Sequence, residues 1–89
     1  MMTKEVAIEN KLGLHARPAS LFVKTAGMFE SDIKIEKDGI EVNGKSILGI
    51  MMLAAERGSK IILKIDGVDE KAAMNALLQL IIERKFDEE

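Results

Sequence analysis

The sequence predicts an α+β fold in two layers, an antiparallel sheet with helices on one face. Three observations predict it. Short stretches with apolar residues at alternate positions read as half-buried strands, and stretches with apolar residues three and four apart read as amphipathic helices. The two kinds run along the chain in the order β-α-β-β-α-β-α. Turn signals separate them, including an Asp-Gly between two β-branched runs.

Each element follows from its residues. Val6 and Ile8 alternate with Glu5, Ala7 and Glu9 to give the first strand, which Asn10-Lys11-Leu12-Gly13 breaks. From Ala16 the period changes. Ala16, Ala19, Phe22, Val23 and Ala26 share one helical face, with Arg17, Lys24 and Thr25 away from it. Gly27 stands where a helix end favours a residue tolerant of the left-handed region. Ile33 and Ile35, then Ile40 and Val42, flank Lys37-Asp38-Gly39 as a hairpin. Asn43-Gly44-Lys45 is a turn, and Ser46 precedes a short apolar helix, Ile47 to Leu53, that ends before Arg57-Gly58-Ser59. Lys60 to Asp66 is the clearest strand in the chain. Asp69 is expected to cap a last helix from Glu70 to Lys85, whose stripe is Ala73, Met74, Leu77, Leu78 and Ile81. Phe86-Asp87-Glu88-Glu89 reads as a frayed tail.

Composition narrows the function. Hydrophobic residues at 47% and charged residues at 31% describe a folded globule rather than a disordered tail. The 89 residues read as one domain without linker or repeat, with little volume for an enclosed ligand cavity. Chemistry is therefore expected at the surface, completed by a partner. A formal net charge of −2 and 3% aromatics, all Phe, argue against nucleic acid. No Cys and a single His exclude thiol catalysis and a multi-histidine metal site. The opening MMTKEVAIENK does not read as a signal peptide and no apolar run is long enough to span a membrane, so the expected location is the cytoplasm.

The informative segment is Gly13-Leu14-His15-Ala16-Arg17-Pro18-Ala19, where the only His and the only Pro meet at a helix start. The first N–H groups of a helix lack intrahelical partners and, with the helix dipole, attract anions. Pro18 has no N–H to offer, which leaves those of Ala16 and Arg17 pointing outward. Arg17 adds a planar fork suited to phosphate oxygens. His15 adds a nucleophile. Together they describe an imidazole that can receive a phosphoryl group and donors that hold its oxygens. The plainer alternative is a His that serves only as a cap or loop residue.

These seven residues resemble the active-site signature of the HPr family, the histidine-containing phosphocarriers of the bacterial phosphoenolpyruvate:sugar phosphotransferase system. Asn43-Gly44-Lys45-Ser46-Ile47-Leu48-Gly49-Ile50-Met51 is similar to that family's second signature, around its regulatory serine. The resemblance implies an open-faced β-sandwich with strand order 1-4-2-3 and three helices on one side. It implies that His15 accepts phosphate at Nδ1 from phospho-enzyme I and passes it to enzyme IIA domains, and that Arg17 stabilises the group in transit. Ala16, Arg17 and Pro18 would shape its cradle, with no cofactor or metal. Such a protein is not an enzyme, since it is modified stoichiometrically and turned over by its partners. A monomer is expected.

Ser46 has two readings. Its hydroxyl is a good N-cap, although Gly49 stands where a capping box would place Glu or Gln. The resemblance makes it a regulatory site for an HPr kinase/phosphorylase, read by a transcriptional regulator. Ile47, Leu48 and Met51 are candidates for an apolar docking patch, with Lys24 and Lys45 steering acidic partners. One departure is Leu12, where many sugar-system members carry a small polar residue. Asn-Lys-Leu-Gly and the Phe-Asp-Glu-Glu ending resemble the nitrogen-related branch. An alternative is therefore a nitrogen-related or regulatory HPr-like protein acting through phosphorylation-dependent binding.

Overall fold

Alternation builds the sheet. The computed structural model describes residues 1–87 and contains four strands: β1 (Met2–Ala7), β2 (Asp32–Lys37), β3 (Ile40–Asn43) and β4 (Lys60–Asp66). They lie in the order β1-β4-β2-β3, antiparallel throughout. The register sets Val6 opposite Ile61, Ile35 opposite Leu63 and Ile33 opposite Ile65. All six are buried, so a single apolar face results. On the other face the Lys64 ammonium reaches Glu36 at 2.6 Å and Glu41 at 3.0 Å, and these carboxylates hold it above the usual lysine range. Asp38 (φ 52°) and Gly39 (φ 81°) form the tight turn of the β2–β3 hairpin, both left-handed as its twist requires.

Three helices cover the apolar face: α1 (Ala16–Ala26), α2 (Ile47–Met52) and α3 (Glu70–Leu78). Helix α1 buries Pro18, Ala19, Phe22 and Ala26, and α3 buries Ala73, Met74 and Leu77. The short α2 sends Ile50 inward, and Leu53 follows at its end. Two such burials, at about 1.5–3 kcal/mol each, anchor a helix too short to persist alone.

The structure corrects four local expectations. Gly27 lies in the right-handed region (φ −66°), so α1 ends without a left-handed residue. The Asp69 side chain does not cap α3. It accepts instead from the Glu30 N–H (2.8 Å), the Ser31 N–H (2.9 Å) and the Ser31 hydroxyl (2.5 Å), clasping the α1–β2 loop to the β4–α3 loop. The last helix is not regular to Lys85. After Leu78 it widens into a π-helical turn, Gln79–Glu83, closed by the Arg84 N–H on the Gln79 carbonyl at 2.9 Å. Phe86 is not part of a frayed tail. It is buried against the core, within a turn in which Lys85, Phe86 and Asp87 are all left-handed. The end of that expected tail, Glu88 and Glu89, lies outside the described residues.

Candidate functional site

The loop from β1 to α1 is held at several points. The Asn10 side-chain amide donates to the Gly13 carbonyl at 2.8 Å, and the Gly13 N–H returns to the Asn10 carbonyl at 3.2 Å. The Leu14 N–H donates to the Ala55 carbonyl at 2.8 Å, and Leu14 is buried. Gly13 is required here. It has φ +67°, and a Cβ would sit 2.2 Å from the Ala55 oxygen and 2.8 Å from Glu56 Cα. Two backbones therefore touch immediately before His15.

His15 is the N-cap of α1, in extended conformation (φ −80°, ψ −171°). Its side chain makes no capping hydrogen bond and is exposed, as are Ala16 and Arg17. Its carbonyl accepts the first helical bond, from the Ala19 N–H at 2.8 Å. Pro18 is buried in the first turn. The N–H groups of Ala16 and Arg17, in the first turn behind that cap, thus have no intrahelical acceptor. Arg17 also approaches the C-terminal turn. The Asp87 carboxyl is held below the usual range chiefly by the fork of Arg84 (2.8 and 2.5 Å), with a smaller contribution from Arg17.

A cleft of about 160 Å³ opens beside the imidazole, lined by Leu14, His15, Met51, Ala54, Ala55 and Glu56. Met51 brings α2 to it. The larger hollow, about 320 Å³, is an open groove along Asn75, Leu78, Gln79, Ile82 and Glu83 and shares no residue with it.

Ser46 caps α2: its Oγ accepts from the Gly49 N–H at 3.0 Å. Ile47, Leu48 and Met51 are exposed, Leu48 to 75%. Met52, which the sequence reading passed over, is exposed to 79%. Its signal was available, because Leu48 and Met52 stand four apart and share a helix face. Lys24 is exposed in the last turn of α1. Lys45 is half-buried, and its ammonium donates to the Phe29 carbonyl at 2.7 Å, which ties it to the loop after α1. Ala54, Ala55 and Glu56 were also missed. They reach His15 across forty residues of chain, and no local motif announces them.

The family model for the phosphotransferase-system HPr component phosphorylation site matches residues 2–83. This chain belongs to the HPr family. The phosphocarrier protein HPr of Neisseria meningitidis serogroup A is 51% identical over 81 residues, 91% of each chain. The HPr-like protein Crh of Halalkalibacterium halodurans is 53% identical over 91% of this chain and 96% of its own. Crystalline HPr from Thermoanaerobacter tengcongensis superposes with a TM-score of 0.95 at 52% identity, covering 100% of this chain and 99% of that one. A dimer of HPr from the same organism matches at a TM-score of 0.76 and 48% identity, over 96% and 98% of the two chains. Family membership makes the chain a phosphoryl carrier of the phosphotransferase system, working with that system's enzymes. Among the described residues, no helix is long and apolar enough to cross a membrane.

Proposed function

We propose that His15 is the phosphoryl acceptor. Its neutral imidazole nitrogen attacks the phosphorus of a phosphohistidine on enzyme I. The donor's N–P bond breaks, and its electron pair returns to the donor imidazole. A new N–P bond forms on His15, at Nδ1 by family resemblance. The same exchange then delivers the group to a histidine of an enzyme IIA domain. Arg17 and the N–H groups of Ala16 and Arg17 neutralise the oxygens in transit, and Pro18 sets the turn that aims them. Positioning and charge neutralisation supply most of what phosphoryl transfer needs. The observation that carries this reading is an exposed imidazole at the N-terminus of α1, beside Arg17 and free of any capping bond. The carrier works in the cytoplasm as a monomer, docking through Ile47, Leu48 and Met51 with Lys24 and Lys45 nearby.

A regulatory role through Ser46 is the second reading, favoured by the similarity to an HPr-like protein Crh. An HPr kinase/phosphorylase would add the phosphate and a transcriptional regulator would read it. The dianion would sit at the N-terminus of α2, where the dipole tolerates it.

Incubation with enzyme I and phosphoenolpyruvate, followed by mass analysis in alkali, separates the two. An acid-labile phosphate that disappears in His15→Ala, with the fold intact, supports the carrier. Labelling that persists in His15→Ala overturns it. An acid-stable Ser46 ester as the sole cellular modification favours the regulatory role.

A further inference from the structure

The cleft beside His15 contains a contradiction. The site receives a doubly charged phosphoryl group, yet Glu56 stands on its wall. Among the described residues Glu56 has no ion pair, and its side chain has no hydrogen bond. Nor can it swing away with its backbone. The Glu56 N–H donates to the Ser59 hydroxyl at 3.0 Å, and the Ser59 N–H returns to the Glu56 carbonyl at 2.9 Å. Its Cα lies against Gly13, where a Cβ would be only 2.8 Å away. Glu56 is exposed, but its backbone is held on that wall, and a carboxylate there repels an incoming dianion unless a cation comes between.

Among the described residues, none that lines that wall supplies a lysine or arginine. The other lining residues besides His15 are Leu14, Met51, Ala54 and Ala55, all apolar. At about 160 Å³ the cleft is below the roughly 300–1,000 Å³ of small-molecule sites. It has room for one long side chain. Apolar walls with a single carboxylate suit the stem and head of a basic residue.

We propose that this cleft receives an arginine from the phosphoryl-donor protein, and that Glu56 is the specificity residue that pairs with it. The arginine stem lies along Met51, Ala54 and Ala55. Its planar fork has donors for the Glu56 carboxylate and for a phosphoryl oxygen at once, which a lysine's point charge matches less well. Repulsion between Glu56 and the phosphoryl group becomes a bridged arrangement, available only to a donor with the right cation. This rests on the reading of His15 as acceptor.

The test is the rate of phosphoryl transfer from enzyme I to the full-length protein, as a function of carrier concentration and of salt. Glu56→Gln keeps the shape and removes the charge. It is expected to raise KM about fivefold, leave kcat within about twofold, and flatten the salt dependence of KM. Glu56→Lys is expected to raise KM more than the Gln variant does. Thermal unfolding midpoints equal to the wild type show that both variants are folded. If Glu56→Gln leaves KM and its salt dependence unchanged, or if Glu56→Lys lowers KM, no cation enters the cleft and the proposal falls alone. If wild-type protein is not labelled at His15, the carrier reading falls and takes the proposal with it.

Discussion

Gly13 decides where His15 stands. Its φ of +67° and the approach of the Ala55 oxygen to 2.2 Å from any Cβ leave no room for another residue. Gly13→Ala must push the β1–α1 loop off the segment that carries Ala55 and Glu56. We expect a loss of about 2–3 kcal/mol of stability, read by denaturant unfolding, and slower labelling of the protein that remains folded. An unchanged denaturation midpoint would show that the loop has slack. Ala54 makes a similar point without a glycine. It is left-handed at φ 49°, a conformation that costs roughly 1–2 kcal/mol for a residue with a Cβ. The Lys37 ammonium holds the carbonyl just before it, that of Leu53, at 3.2 Å. Backbone shape at the cleft is thus maintained by side chains that are themselves remote from the chemistry.

At the scale of elements, the loops are tied by charge as much as by packing. Asp69 accepts three donors from the Glu30–Ser31 turn, the Ser31 hydroxyl first among them, and these hold its carboxyl below the ordinary range. A carboxyl depressed in the folded state stabilises the fold above its unfolded pKa of about 3.9. That contribution is lost as the pH falls through the lower folded value. Thermal midpoints measured from neutral pH downward should therefore be flat, then fall below about pH 4. Asp69→Asn should lower the midpoint at neutral pH and make the acid limb shallower. Glu70 and Asp87, also depressed, keep some acid dependence in the variant. An acid limb identical in the two proteins would remove Asp69 from the account. Helix α2 is governed by the same economy of contacts. Ser46 closes its first turn and Ile50 roots it, which leaves Leu48 and Met52 in solvent.

Across the whole molecule, the turn Lys85–Asp87 packs back onto α1 and closes the helical layer. Phe86 is 2% exposed. It belongs to a turn with three left-handed residues in a row, an arrangement that apolar burial must offset. Phe86→Ala should cost about 3 kcal/mol or more, a large share of the roughly 5–15 kcal/mol that holds a domain together. Urea unfolding measures it, and a change below about 0.5 kcal/mol, as for an ordinary surface position, would mean that Phe86 is a tail residue after all. The same turn brings Asp87 into the field of Arg17, so this turn and the start of α1 share one electrostatic neighbourhood.

By itself the sequence determined the class of the fold, the order of its elements and the segment that bears His15. Those are local or periodic properties. Alternation puts Ile33, Ile35, Ile61, Leu63 and Ile65 on one face, and a His-Ala-Arg-Pro helix start exposes its own first N–H groups. Only the tertiary structure decided that Glu56 lines the cleft with His15, that Asp69 clasps a loop instead of capping its helix, and that Phe86 is core rather than tail. Each depends on residues roughly forty or more positions apart meeting in space, as Leu14 meets Ala55 and Ser31 meets Asp69. No spacing along a chain encodes such a meeting, because it arises from the sheet pairing β1 with β4 and β4 with β2.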